Sequence, residues 1–238
     1  MLLSGIHASA MNTVMFTEIA QIKEGLIPLS EGEGPPLLVI HGIDFSTYPK
    51  EWEKPFAELT RKRTRSYLHK WSNRKGLREN RELFLVSIRK LLTKYPDERL
   101  TIFGFSAGGA ISLMALDSLT GTPDMERVFL HTVSSPFFGF EAPRQAYVAA
   151  PFVGKGRIEM GIGAYSFMEN KNFQNCHHWV TTNCSLDSNS CDLKKLNPQT
   201  GPLDGSIEMP CGNAEVTRID DETHTSVILP VLHRILPE

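Results

Sequence analysis

A serine hydroxyl is a poor nucleophile near neutral pH. To attack a carbonyl it must be exposed, given a base within hydrogen-bond reach, and faced by donors that hold the resulting oxyanion. The stretch Gly104-Phe105-Ser106-Ala107-Gly108 has the residue types for the first of these tasks, as a match to G-x-S-x-G. Residues 100–105, with the β-branched Thr101 and Ile102 and two phenylalanines, read as a strand buried on both faces. Ile111, Met114 and Ala115 recur at helical spacing beyond it. The spacing therefore predicts strand, tight turn, helix, with Ser106 in a strained backbone conformation and the helix N-terminus beside it. The pentapeptide alone also fits a glycine-rich turn that merely packs closely, so partners must decide.

Eight histidines are available as the base. His224 follows the last predicted strand, residues 215–219, and precedes a closing apolar helix with Val227, Ile228, Val231, Leu232 and Ile235. That places it at the same sheet edge as Ser106. His177 and His178 precede a strand, read at 178–183, and so belong at the opposite edge. His41 adjoins a loop suited to oxyanion donors, where a structural role is expected. His7 and His233 lie near the termini, and His69 and His131 lie in or near strands.

For the acid that orients the base, Asp187 follows the 178–183 strand closely, and Asp204, in Leu203-Asp204-Gly205-Ser206-Ile207, is the rival. Asp220, Asp221 and Glu222 are too near His224 in sequence to aim at its Nδ1. Two N–H donors are needed for the oxyanion: Ala107 at the helix start supplies one, and Ile43 in the His41-Gly42-Ile43 loop the other.

The elements that must position these groups alternate. An edge strand or two is expected within 14–23, a turn-rich connector at 31–36, and an apolar strand at 37–40 ending in His41-Gly42. A helix with Trp52, Phe56 and Leu59 on one face follows, then a strand at 65–71. A helix over 77–95 carries Leu83, Phe84, Ile88, Leu91 and Leu92 on one face and ends at Tyr95-Pro96-Asp97. A strand at 127–133 and a helix near 142–149 complete the middle of the chain. Alternation of this kind argues for an α/β fold: a mostly parallel twisted sheet flanked by helices on both faces, a three-layer sandwich. Ligands in such sheets sit beyond the carboxyl ends of the strands, where the His-Gly loop and the serine turn both fall.

The 238 residues form one domain over 1–238, with no repeat and no composition break. Residues 137–175 mix glycines, prolines and aromatics without a period. They read either as a substrate-covering segment or as an irregular helical crossover. The net charge of -2, with no long run of one sign, gives nucleic-acid binding no electrostatic support. The basic, aromatic-interleaved stretch from Arg61 to Arg78 reads as a solvated helix end rather than an anion patch. No stretch has the length and apolarity of a membrane span, and residues 1–20 lack the basic start of a secretory signal. A cytoplasmic location is the expectation, with a periplasmic or secreted one if Cys176, Cys184, Cys191 and Cys211 are paired. Cys176, His177, His178, Cys184 and Cys191 match no common zinc spacing, so neither metal nor cofactor is expected.

Four segments carry a resemblance to a known family: Leu38-Val-Ile-His-Gly-Ile43, Gly104-Phe-Ser-Ala-Gly-Gly109, Ser134-Ser-Pro-Phe-Phe-Gly139 and His224-Thr-Ser-Val-Ile228. Together the chain resembles an α/β-hydrolase of the small lipase/esterase branch, from about residue 35 to the end. The resemblance implies a serine hydrolase acting on small-molecule or lipid esters, with nucleophile, acid and histidine in that chain order. It favours Asp187, because family members place the acid directly after the strand preceding the last one. Some lipases carry a later Asp-Gly-hydrophobic loop, which Asp204-Gly205-Ser206-Ile207 resembles. Thioesterase, amidase or acyltransferase chemistry on the same triad, or a non-catalytic binding module on the fold, are the alternatives.

Overall fold

The computed structural model describes residues 19, 24–42, 52–137, 155, 159, 167, 175–181, 215–220, 222 and 224–236. They build a seven-stranded sheet of order β1-β3-β2-β4-β5-β6-β7. The strands are β1 (Gly25–Ser30), β2 (Glu33–Ile40), β3 (Thr64–Lys70), β4 (Leu100–Phe105), β5 (Val128–Val133), β6 (Cys176–Thr181) and β7 (Glu215–Ile219). All neighbours pair in parallel except β1, which lies antiparallel on β3 at the edge. The helices are α1 (Glu53–Arg61), α2 (Leu77–Lys94), α3 (Ala107–Asp117) and α4 (Ile228–Ile235).

Successive strand residues point to opposite faces, and in the central strands both faces are apolar. Leu38, Ile40, Leu100, Ile102, Val128 and Leu130 face α2 and α3 in one core. Leu37, Val39, Phe103, Phe105, Val133 and Trp179 face α1 and α4 in the other. Helix α3 is buried along its whole length except at Asp117, as a helix of Gly, Ala, Ile, Leu and Met must be, and its one buried polar side chain, Ser112, donates to the Gly108 carbonyl at 2.8 Å. These two cores are the three-layer α/β sandwich expected from the sequence.

Three details differ from the sequence reading. The edge strand is β1, downstream of the 14–23 stretch, most of which lies outside the described residues. Strand β2 starts inside the stretch read as a connector. Glu33, Gly34 and Pro35 are exposed there, and the pairing with β3 shifts between Glu33 and Leu37, so the prolines sit where a missing N–H is tolerated. His177 and His178 lie within β6 rather than before it. The helix expected near 142–149 lies outside the described residues.

Two contacts tie the 137–175 stretch to the carboxyl edge of the sheet, at the start of α2. Helix α2 begins after Gly76, which has no side chain to cap the free N–H groups. The Glu159 carboxylate does so instead, accepting the Leu77 N–H at 2.5 Å. A Cβ on Gly76 would lie 2.9 Å from both carboxylate oxygens, so the glycine makes room for the cap. The Arg78 guanidinium stands 5.3 Å over the Phe167 ring. Replacing Glu159 with glutamine removes the charge from the helix N-terminus and should cost about 1 kcal/mol, or ~2–4 °C in melting temperature. An unchanged melt in low salt would show that the cap contributes nothing.

Candidate active site

Strand β4 runs straight into α3 through a single residue, Ser106, whose φ of 53° and ψ of -125° lie in a region that non-glycine residues avoid. The turn is held from several sides. The Ser106 N–H donates to the Val133 carbonyl at 2.8 Å, and the Gly109 N–H donates to the Ser106 carbonyl at 3.0 Å. The glycines are required by contact. A Cβ on Gly104 would lie 2.6 Å from the Gly109 Cα, and one on Gly108 would lie 2.4 Å from the His41 carbonyl oxygen. Gly109 has the Ser135 Oγ where its own Cβ would be, at 1.9 Å. Only a turn without side chains lets helix, strand and loop close to this distance. Ser106 itself is partly exposed, and Ala107 opens the helix, so unpaired first-turn N–H groups and the positive end of the helix dipole lie beside the hydroxyl.

The His-Gly loop reaches the same place. A Cβ on Gly42 would stand 3.1 Å from the Ser106 Cβ, so the loop backbone passes directly over the serine. His41 is the clasp that keeps it there. Its Nε2 accepts the Trp71 N–H at 3.1 Å, and its carbonyl accepts the Trp71 indole N–H at 2.8 Å. The two rings stack with centroids 5.4 Å apart and planes 9° from parallel. Because Nε2 accepts, the proton is on Nδ1, which donates to the Gly42 carbonyl at 2.6 Å. His41 therefore has the structural role read from the sequence. Ile43 lies outside the described residues.

The His224 ring packs on Phe105, the residue before the serine, with centroids 4.9 Å apart. The loop after β7 thus crosses back over the carboxyl edge of the sheet toward Ser106. The other described histidines are committed elsewhere. His69 Nδ1 is 2.9 Å from the Ser87 hydroxyl. His178 Nδ1 is 2.6 Å from the Thr132 hydroxyl, and His177 stacks on Trp179 at 4.1 Å. His131 accepts the Trp179 indole N–H at 3.3 Å, and His233 stands 3.3 Å from Glu58. Asp187 and Asp204 lie outside the described residues, as do Cys184, Cys191 and Cys211. Cys176 is a buried thiol in β6. Among the described residues no group of three or more His, Cys, Asp or Glu is arranged to hold a metal, and no helix is long and apolar enough to cross a membrane.

Sequence reasoning missed the supporting parts: Phe105 as the platform for His224, Trp71 as the partner of His41, and Ser135 as the filler beside Gly109. Phe105 and Trp71 look like ordinary core residues in sequence. Only the pairing of strand ends gives them these roles.

Burial lowers the pKa of four of these histidines, His41, His69, His131 and His177, and His41 and His69 are the most completely buried of them. Loss of solvation holds His41 and His69 well below the usual imidazole range, at about 3 each. Both stay neutral in the folded chain but protonate near pH 6.5 once unfolded, so the unfolded chain binds more protons in between. Their contribution to stability is complete above about pH 6.5 and is lost as the pH falls toward 3. The melting temperature should drop on the order of 10 °C between pH 7 and pH 5. A melt that is flat over that range would contradict the burial of both rings.

The order of the strands and the strained serine turn between β4 and α3 are those of an α/β-hydrolase fold. Residues 44–150 match the family described as lipase (class 3). Among solved structures, the mature lipase of Bacillus licheniformis superposes with a TM-score of 0.63 at 14% identity, covering 88% of this chain and 97% of that one. A monoacylglycerol lipase of Paleococcus ferrophilus gives 0.54 at 11% identity, covering 90% and 98%. A lipase-esterase related protein of Clostridium acetobutylicum gives 0.52 at 16% identity, also covering 90% and 98%. No curated protein sequence matches the chain.

Proposed function

We propose that this protein is a serine hydrolase of carboxylic esters that works through an acyl-enzyme. The observation that carries this reading is the strained Ser106 at the start of α3, with the His224 ring brought onto the adjacent Phe105. Class 3 lipase similarity over residues 44–150, a span that includes the serine turn, supports it.

In this mechanism His224 takes the Ser106 proton as Oγ attacks the ester carbonyl. The carbonyl oxygen becomes an oxyanion, held by the Ala107 N–H and, from the loop that Gly42 lays over the serine, the Ile43 N–H. Collapse breaks the ester C–O bond, and His224 returns the proton to the departing alcohol. Water, deprotonated by the same histidine, then releases the acid and restores Ser106. A carboxylate on Nδ1 keeps the ring in the required tautomer: Asp187, with Asp204 as the rival.

Stoichiometric labelling by a fluorophosphonate and turnover of p-nitrophenyl esters of graded chain length test the reading directly. No labelling and no turnover would leave a binding module on this fold. Parallel assays with thioester, amide and acyl-acceptor substrates separate the other reactions open to the same triad. The acid is decided by Asp187→Asn and Asp204→Asn. The true acid should lose about 10⁴-fold in kcat with an unchanged melt, and wild-type activity in Asp187→Asn would transfer the role to Asp204.

A further inference from the structure

Phe105, the residue before Ser106, lies on the same side of β4 as Phe103, where alternate strand residues fall. Its ring is flanked by parts of the chain that are far apart in sequence. A Cβ on Gly42 would lie 3.2 Å from its Cδ1 and its Cε1, so the His-Gly loop runs along one edge of the ring. The His224 ring has its centroid 4.9 Å away and its plane tilted by 49°. Trp52, at the N-cap of α1, stands with its centroid 5.8 Å away and its plane 80° from that of Phe105. Phe105 and Trp52 are buried, and His224 is half-buried beside them. A benzene ring carries negative charge on its faces, and a cation within about 6 Å of its centroid is attracted to it. That attraction grows where water is excluded. The neutral His224 ring already stands within this distance. It becomes a cation only while it holds the proton taken from the serine or from water. An interaction that strengthens in that state lowers the barrier without tightening the binding of substrate.

We propose that the Phe105 ring, held in place by Trp52, stabilises the imidazolium form of His224, making Phe105 a positioning residue of the reaction. This deepens the serine-hydrolase reading above and rests on it. No bond forms or breaks at Phe105. In acylation the proton passes from Ser106 to His224 and on to the departing alcohol. In deacylation it passes from water to His224 and back to Ser106. The ring acts only on the charge held in between, and so its effect belongs to kcat rather than to KM.

The first measurement is on the unaltered chain. If a fluorophosphonate fails to label it and p-nitrophenyl esters are not turned over, the hydrolase reading falls and this proposal with it. With an active chain in hand, Phe105 is replaced by phenylalanines carrying one, two and three ring fluorines. Fluorine withdraws charge from the ring faces while nearly keeping the shape of the ring, which separates charge from packing. The value of kcat should fall stepwise, by about tenfold over the series, with KM and the melting temperature unchanged. The same series at Phe103 is the control. Phe103 shares the strand face and meets Trp52 at 6.4 Å, but it lies two residues further from the serine turn. Fluorination there should leave kcat as it was. Should the fluorinated chains melt early, Phe105→Leu and Phe105→Tyr take their place. The leucine variant should then lose about tenfold in kcat, and the tyrosine variant, which keeps a ring, should retain it. A kcat that is flat across the Phe105 series, an equal fall at Phe103, or equal activity of the leucine and tyrosine variants overturns the proposal.

Discussion

Replacing Ser106 with alanine should abolish fluorophosphonate labelling and lower kcat on p-nitrophenyl esters by about 10⁴-fold or more, with little change in melting temperature. The fold should survive because the elbow is held by backbone bonds and close glycine contacts, none of which involves the hydroxyl. A second substitution makes the point sharper. Ser106→Gly should be equally inactive yet more stable, by about 1 kcal/mol, since glycine adopts a φ of 53° without strain. An inactive but more stable variant would show that the backbone strain at this residue belongs to the chemistry rather than to folding. Full labelling of Ser106→Ala would place the nucleophile elsewhere.

Gly108→Ala should damage both stability and activity. The added Cβ would lie 2.4 Å from the His41 carbonyl oxygen and 2.5 Å from that of Ile40. Neither atom is the end of a flexible side chain. Both belong to the backbone at the end of β2, which is paired on both sides and tied down by the His41–Trp71 clasp. Helix α3 must therefore move off the sheet, at a cost of about 3 kcal/mol or more, seen as a melting temperature ~6–12 °C lower. The same movement separates the His-Gly loop from the helix N-terminus, the two proposed sources of oxyanion donors, and a shift of about 1 Å there should cost on the order of 10²-fold in kcat/KM. Gly121→Ala is the control. Gly121 has a φ of 80° but no neighbouring atom within 4 Å of the added carbon, so it should cost about 1 kcal/mol through the backbone alone. Equal effects at the two positions would rule out the close-contact argument for Gly108.

Helix periodicity and short apolar runs were enough to predict α2, β3, β4, β5 and α4, because each is set by contacts within a few residues or by burial on both faces. The His41-Gly42 turn and G-x-S-x-G were legible for a related reason. Glycine at a tight approach and serine at a strained turn are local demands that leave a local signature. The edge strand β1 was harder to place. An edge strand pairs on one side only, and its pattern is dominated by a single partner strand rather than by the chain around it.

What the sequence by itself determined is therefore the class of fold and the choice of Ser106 and His224 as candidate nucleophile and base, since alternation and chain order alone assign both residues to the carboxyl edge. What only the tertiary structure decided is how that edge is held together. Phe105 under His224, Trp71 on His41, Ser135 against Gly109 and Ser134 between two strand ends are pairings of residues 26 to 119 positions apart, or of neighbours whose roles depend on such pairings. Side-chain type constrains a residue's own backbone and nearest turn, but it carries no record of which distant strand end will lie beside it. That is settled when the sheet forms and both of its faces are buried.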